Sequence, residues 1–102
     1  MNKQISPNVT DFLVRLRKVD KRGLTVRDIL VLFAVMETPG ASGLDIANKL
    51  GIKDRSAISS NLGRLEREGF IEDRREEHGR AIPAILHALP AGVAFWDEIK
   101  PE

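Results

Sequence analysis

The sequence predicts a mainly α-helical chain that carries one small β-hairpin. Five stretches bounded by helix start and stop signals repeat apolar residues near the 3.6-residue helical period. Two of them are short and are separated by only three residues, and after Gly69 the period changes to that of short strands. The chain has 102 residues, which suits one domain. Apolar residues make up 42% and charged residues 30%, so a packed core is expected rather than disorder.

Ser6-Pro7-Asn8 opens the first helix, because Ser6 or Asn8 can cap free amides and Pro7 suits the first turn. Val9, Phe12, Leu13, Leu16 and Val19 follow on one face, and Arg15, Arg17, Lys18, Lys21 and Arg22 on the other. Gly23 stands where a left-handed cap belongs, giving a helix over 7–21. Thr25-Val26-Arg27-Asp28 has the form of a capping box for a helix over 25–37. Val26, Ile29, Leu30, Leu32, Phe33, Ala34 and Met36 make that helix apolar almost all round, so it should be the buried one. Thr38-Pro39-Gly40 stops it.

Ser42, with Asp45 three residues on, caps the next helix, whose inward face is expected to be Leu44, Ala47 and Leu50, with Ile46 beside them. After the joint Gly51-Ile52-Lys53, Asp54 caps a further helix with inward Ile58, Leu62 and Leu65, and Gly69 ends it. Residues 42–68 thus read as a helix-turn-helix. Residues 69–89 read as a hairpin with a charged tip, Pro83 demanding an edge position. Pro90 opens a last helix over 90–100 with Val93, Phe95, Trp96 and Ile99. Helix, helix, helix-turn-helix, hairpin, helix is the order of a winged helix-turn-helix with added N- and C-terminal helices, expected as a single domain over 1–102.

Several chemistries are excluded or left without support. The chain has no Cys, so disulfides, Cys-ligated zinc and thiol nucleophiles are ruled out. His78 and His87 have no partner at metal-ligand spacing; His78 is expected in solvent and His87 on the outer face of its strand. No catalytic triad, paired-carboxylate site or Gly-rich phosphate loop can be placed, so neither enzyme activity, metal nor cofactor is expected. The longest apolar run, Ile29 to Met36, is far short of the roughly 20 residues of a membrane span, and the first residues lack a signal-peptide core. A cytoplasmic location is the expectation.

In a helix-turn-helix the second helix lies in the major groove of DNA with its N-terminal part on the base edges. The outward residues of its first turns are expected to be Arg55, Ser56, Ala57, Ser59, Ser60 and Asn61, which can donate, accept or let the backbone approach. Arg64 and Arg67 lie further along, where phosphates are the expected partners, and Ser42 can contact phosphate, cap its helix, or do both. At the wing, Arg75 or Arg80 can enter a narrow minor groove, against the repulsion of Glu72, Asp73, Glu76 and Glu77. By spacing alone, a solvated polar face fits these residues equally well.

Charge is divided along the chain. Residues 1–27 hold seven basic and two acidic residues, a local charge of +5, and the remainder carries −4. Residues 53–80 balance at seven against seven. The positive field therefore lies on the first helix and the joint after it, as a phosphate-contacting surface, a solvated face or a patch for an acidic partner.

From Leu24-Thr25 to Ile99 the chain resembles the DNA-binding core of the MarR (multiple antibiotic resistance regulator) family. The matching pieces run in order: Pro39-Gly40-Ala41-Ser42, Leu44-Asp45-Ile46-Ala47, Leu50-Gly51-Ile52, Asp54-Arg55-Ser56-Ala57-Ile58-Ser59, Leu62, Leu65-Glu66, Gly69-Phe70-Ile71-Glu72, Arg74 and Pro90-Ala91-Gly92. The chain departs from the family at the wing, where His78-Gly79-Arg80 replaces the common Asp-Arg pair. Leu89 stands where a capping Thr is frequent, and both terminal helices are short. The resemblance implies a regulator of transcription, a repressor in the simplest form, that binds double-stranded DNA as a homodimer through its terminal helices. Val9, Phe12, Leu13, Leu16, Phe95, Trp96 and Ile99 are the expected interface residues, and no small-molecule effector is expected. Two alternatives share the fold: a winged helix that binds protein rather than DNA, and a plasmid or phage accessory protein that binds DNA for replication or transfer.

Overall fold

The structure is a computed structural model that describes residues 7–53, 55–75 and 83–100. Arg80, His78 and Asp54 lie outside the described residues, as do the side chains of Val9, Phe12, Leu13 and Arg55. The elements in order are α1 (Pro7–Lys21), α2 (Val26–Glu37), α3 (Gly43–Leu50), α4 (Arg55–Arg67), β1 (Ile71–Asp73), β2 (Leu86–Ala88) and α5 (Pro90–Ile99).

The helix ends follow their local chemistry. Thr25 Oγ1 accepts from the Asp28 amide at 3.1 Å while the Asp28 carboxylate accepts from the Thr25 amide at 2.8 Å, a closed capping box on α2. Ser42 and Asp45 form the same reciprocal pair on α3, both bonds at 3.1 Å. Gly51 closes α3 in the left-handed region at φ 72°. Leu89 caps α5 without a side-chain bond, and Pro90 fills the first helical position.

α2 is the central helix. Val31, Leu32, Ala34 and Val35 are fully enclosed, and around them pack Ile46, Ile58, Leu65, Ile71, Leu86, Phe95 and Ile99. The burial expected of α2 all round is corrected in one respect: Val26 is 63% and Leu30 50% exposed. These two residues are one turn apart on a side that no other described element of the chain covers. On α3 the inward pair is Ile46 and Ala47, with Leu50 partly covered, whereas Leu44, expected inward, stands 48% exposed at the first turn.

β1 and β2 pair antiparallel with Ile71 opposite Ala88, Glu72 opposite His87 and Asp73 opposite Leu86. A third segment joins them. The Leu86 amide donates to the Ala41 carbonyl at 2.9 Å and the Gly40 amide to the Leu86 carbonyl at 2.8 Å. The link before α3 is thereby tied to the hairpin. α5 returns across the open end of the sheet, where the Phe70 and Phe95 rings stack at 5.0 Å between centroids. The Arg22 guanidinium lies 5.4 and 5.1 Å from these two rings and pairs with Glu68 at 3.0 Å. Phe33 of α2 packs on Trp96 of α5 at 4.8 Å.

Candidate nucleic-acid interface

α3 and α4 are set by the Gly51-Ile52-Lys53 joint, in which the Ile52 amide bonds back to the Ala47 carbonyl at 2.8 Å. α4 then divides cleanly. Ile58, Asn61 and Leu65 form its inward stripe, at 1%, 2% and 0% exposure. Ser56, Ser59 and Ser60 stand exposed, and Ala57 is half-buried. A run of small hydroxyl side chains without bulk is a surface that a nucleic-acid groove can approach closely and bond in either direction.

Two of the expected contact residues are placed differently. Asn61, expected to face outward, is buried, and its side-chain amide donates to Asp28 Oδ1 at 2.7 Å. Arg64, expected to reach phosphate, donates Nε to Asp28 Oδ2 at 3.0 Å and to Oδ1 at 3.3 Å. The burial of Asn61 and the pairing of Arg64 have one cause. Asp28 is fully enclosed, and a buried carboxylate requires donors on its oxygens. Burial pushes its carboxyl group up, but hydrogen bonds from Arg64, Asn61 and the Thr25 amide, with the Arg64 charge, together hold it below the usual value. Asp28 is the residue that sequence reasoning missed, having been read only as half of a capping box. The available signal was a carboxylate in a stripe otherwise made of Ile, Leu, Val and Ala.

Ser42 is half-buried and its hydroxyl oxygen accepts the Asp45 amide, so its capping role is present in the geometry. At the wing, Asp73 Oδ1 accepts the amides of Arg75 and Ile85 at 2.9 and 3.0 Å, bracing the two strands. The exposed Arg75 pairs its Nη2 with Asp73 Oδ2 at 2.9 Å. A groove of about 580 Å³ runs between α3, α4 and the foot of the hairpin, lined among others by Ser42, Leu44, Ser59, Leu62, Glu66 and Asp73. Burial raises the Glu66 carboxyl, the Asp73 charge adds to the rise, and Arg75 opposes it. His87, expected on the outer face of its strand, is half-buried.

The expected dimer residues divide too. Phe95 and Ile99, expected at an interface between copies, are 4% and 0% exposed within the chain's own core. They are one turn apart on the face of α5 that meets the rest of the core, where Phe95 stacks on Phe70. Leu16 and Trp96 are partly buried against the same core. Among the described residues the exposed large apolar side chains lie elsewhere, at Val14, Val26, Leu30, Leu44 and Val93, with 58%, 63%, 50%, 48% and 38% exposure.

Among the described residues, five helices, a helix-turn-helix at their centre and a two-stranded wing define a winged helix-turn-helix protein. The family model described as "MarR family" matches residues 22–81, more than half of the chain, and the chain belongs to the MarR family. A crystal structure of MarR superposes with a TM-score of 0.71 at 25% identity, over 90% of this chain and 66% of that one. A further MarR family transcription regulator gives 0.72 at 25% identity, over 89% and 59%. A mutant MarR from E. coli, at 15% identity, shares the fold with a TM-score of 0.70 over 96% and 76%. The chain spans 66% and 59% of the length of the first two of these structures. No curated protein matches the chain. Among the described residues no helix is long and apolar enough to cross a membrane.

Proposed function

We propose that this chain is a sequence-specific DNA-binding regulator of transcription that acts as a homodimer, in the simplest case a repressor occluding a promoter. The exposed Ser56, Ser59 and Ser60 on the helix that follows the turn, in a chain of the MarR family, carry this reading. Ser59 and Ser60, with Arg55 at the helix start, would meet base edges in the major groove, and the amides at the N-terminus of α4 would favour a phosphate. Ser42 would bond the phosphate backbone, and Arg75 or Arg80 at the wing would enter a narrow minor groove. The chain would work as one cytoplasmic domain, without enzymatic activity, cofactor or small-molecule effector. A twofold dimer would read half-sites about 34 Å apart, and its contact would draw on the exposed Val14, Leu30 and Val93 rather than on Phe95 and Ile99. Fluorescence anisotropy against a duplex from upstream of the chain's own coding region tests the reading. Specific binding that Arg55→Ala with Ser59→Ala leaves intact would remove α4 from the interface. A groove flanked by Glu66 and Asp73 and bordered by the exposed Leu44 favours a second reading, a winged helix that binds protein. No duplex binding at low salt, with a stable heterocomplex instead, would select it.

A further inference from the structure

Asn61 occupies a place in the inward stripe of α4 where the pattern of Ile58 and Leu65 calls for an apolar side chain. A stripe of Ile and Leu alone packs nearly as well after a small roll or slip, because apolar contact is not directional. A buried polar group removes that tolerance. Only a seating that pairs it avoids the cost of an unsatisfied donor, which is how a single buried Asn sets register in coiled coils. The acceptor, Asp28, is itself fixed on α2 by the Thr25 capping box. It receives α4 at two positions three residues apart, Asn61 at 2.7 Å and Arg64 at 3.0 Å. Two points of attachment set both the axial position and the roll of a helix. α4 turns about 100° per residue, so a roll error of one residue would carry Ser59 or Ser60 away from the exposed face.

We propose that Asp28 is the positioning residue of α4: through Asn61 and Arg64 it fixes the roll that presents Ser56, Ser59 and Ser60, and so governs sequence discrimination. The proposal rests on α4 being the helix that reads DNA. Replacing a buried ion pair by apolar residues of like volume is frequently neutral or stabilising. The triple variant Asp28→Leu, Asn61→Leu, Arg64→Met is therefore expected to fold, with a melting temperature within about 6 °C of wild type.

Two readouts test the proposal. The first is the ratio of affinities for a duplex selected from a randomised library by the wild-type chain and for a scrambled duplex. The triple variant should lose roughly tenfold of this ratio, about what one lost base contact removes, while its affinity for the scrambled duplex holds. The exchange variant Asp28→Asn with Asn61→Asp restores a bond between the two helices in the reverse direction and should recover the ratio. A folded triple variant with the wild-type ratio would overturn the proposal. The second readout needs no DNA. The chain has no Cys, so Ser59→Cys and Ser60→Cys each report exposure by the rate of thiol labelling. Labelling of at least one should slow in the triple-variant background, and equal rates in both backgrounds would overturn the positioning role. If the wild-type chain selects no duplex, the DNA reading fails, and the labelling rates still decide whether Asp28 sets the roll.

Discussion

The Asn61 side-chain amide donates to the Asp28 carboxylate at 2.7 Å, with 2% of Asn61 and none of Asp28 open to solvent. The central helix and the helix after the turn therefore meet at a polar bond inside an otherwise apolar contact. Its energetics are those of a buried charge that has partners. Removing one partner of such a group costs several kcal/mol, because the rest is left uncompensated.

Asp28→Asn is expected to lower stability by about 3 kcal/mol at neutral pH. The pH dependence has a definite sign. The folded carboxyl titrates below its unfolded value of about 3.9, so its stabilisation is present above that value. It is lost as pH falls through the lower folded value. Urea midpoints measured from pH 6 down into this acid range should fall more steeply for wild type than for Asp28→Asn. Parallel pH profiles would refute the assignment.

Gly92 sits on the first turns of α5 against the chain leaving α4. A methyl group added there would overlap the Phe70 carbonyl oxygen, and that oxygen also accepts the Leu89 amide at 2.8 Å. Backbone held by a second bond cannot step aside. In a free helix Gly→Ala is worth about 1 kcal/mol of stabilisation. Gly92→Ala should instead destabilise, by about 3 kcal/mol, as overpacking against fixed atoms does. A thermal melt gives the sign directly.

Gly63 and Gly51 should respond in opposite directions to the same change. Gly63 is helical, and an added Cβ would meet only the end of the Arg67 side chain at 3.5 Å. Gly63→Ala should stabilise by up to about 1 kcal/mol. Gly51 has φ 72°, and Gly51→Ala should cost about 1 kcal/mol even though nothing lies within 4 Å of the new methyl. Equal melting shifts for the two would mean that backbone conformation does not govern the turn.

What could be read from the sequence is what depends on neighbours along the chain. Thr25 with Asp28 and Ser42 with Asp45 announce their caps within four residues, and Gly51 and Pro90 mark a helix end and a helix start in the same local way. Contacts across long separations were not legible. Asn61 and Leu62 both fit an inward stripe by periodicity, and only the carboxylate 33 residues away settles which is enclosed. The rung between Ala41 and Leu86 involves one residue on each side, too few to leave a period. Adjacent Phe95 and Trp96 pose a similar problem, because composition does not say which ring packs inside. Their partners, Phe70 and Phe33, do.

Phe95 and Val14 separate core from contact surface. Phe95→Ala removes a ring stacked on Phe70 and should cost about 3–5 kcal/mol in urea melts. Val14→Asp changes a side chain that is 58% exposed, so the monomer's stability should move by about 0.5 kcal/mol or less. If copies associate through this face, sedimentation velocity should show Val14→Asp shifting toward monomer. An unchanged sedimentation profile would place any self-association elsewhere.

Salt dependence of duplex binding follows from which cations already have partners. Lys18 pairs with Glu98, Arg22 with Glu68, Arg64 with Asp28, Arg74 with Glu72 and Arg75 with Asp73. Arg67 is exposed on the last turn of α4, and Arg17, Lys21 and Arg27 are exposed on α1 and the start of α2. Each phosphate contact contributes a slope of about −0.9 on a plot of log affinity against log salt. With Arg64, Arg74 and Arg75 each paired with a carboxylate, the slope per protomer should be shallower than about −5, the value for roughly six contacts. Glu72→Gln, which releases Arg74 and removes a charge that repels phosphate, should raise low-salt affinity and steepen the slope by about one contact's worth. A wild-type slope steeper than this bound would mean that these ion pairs open when DNA arrives or that the exposed cations outside them also meet phosphate.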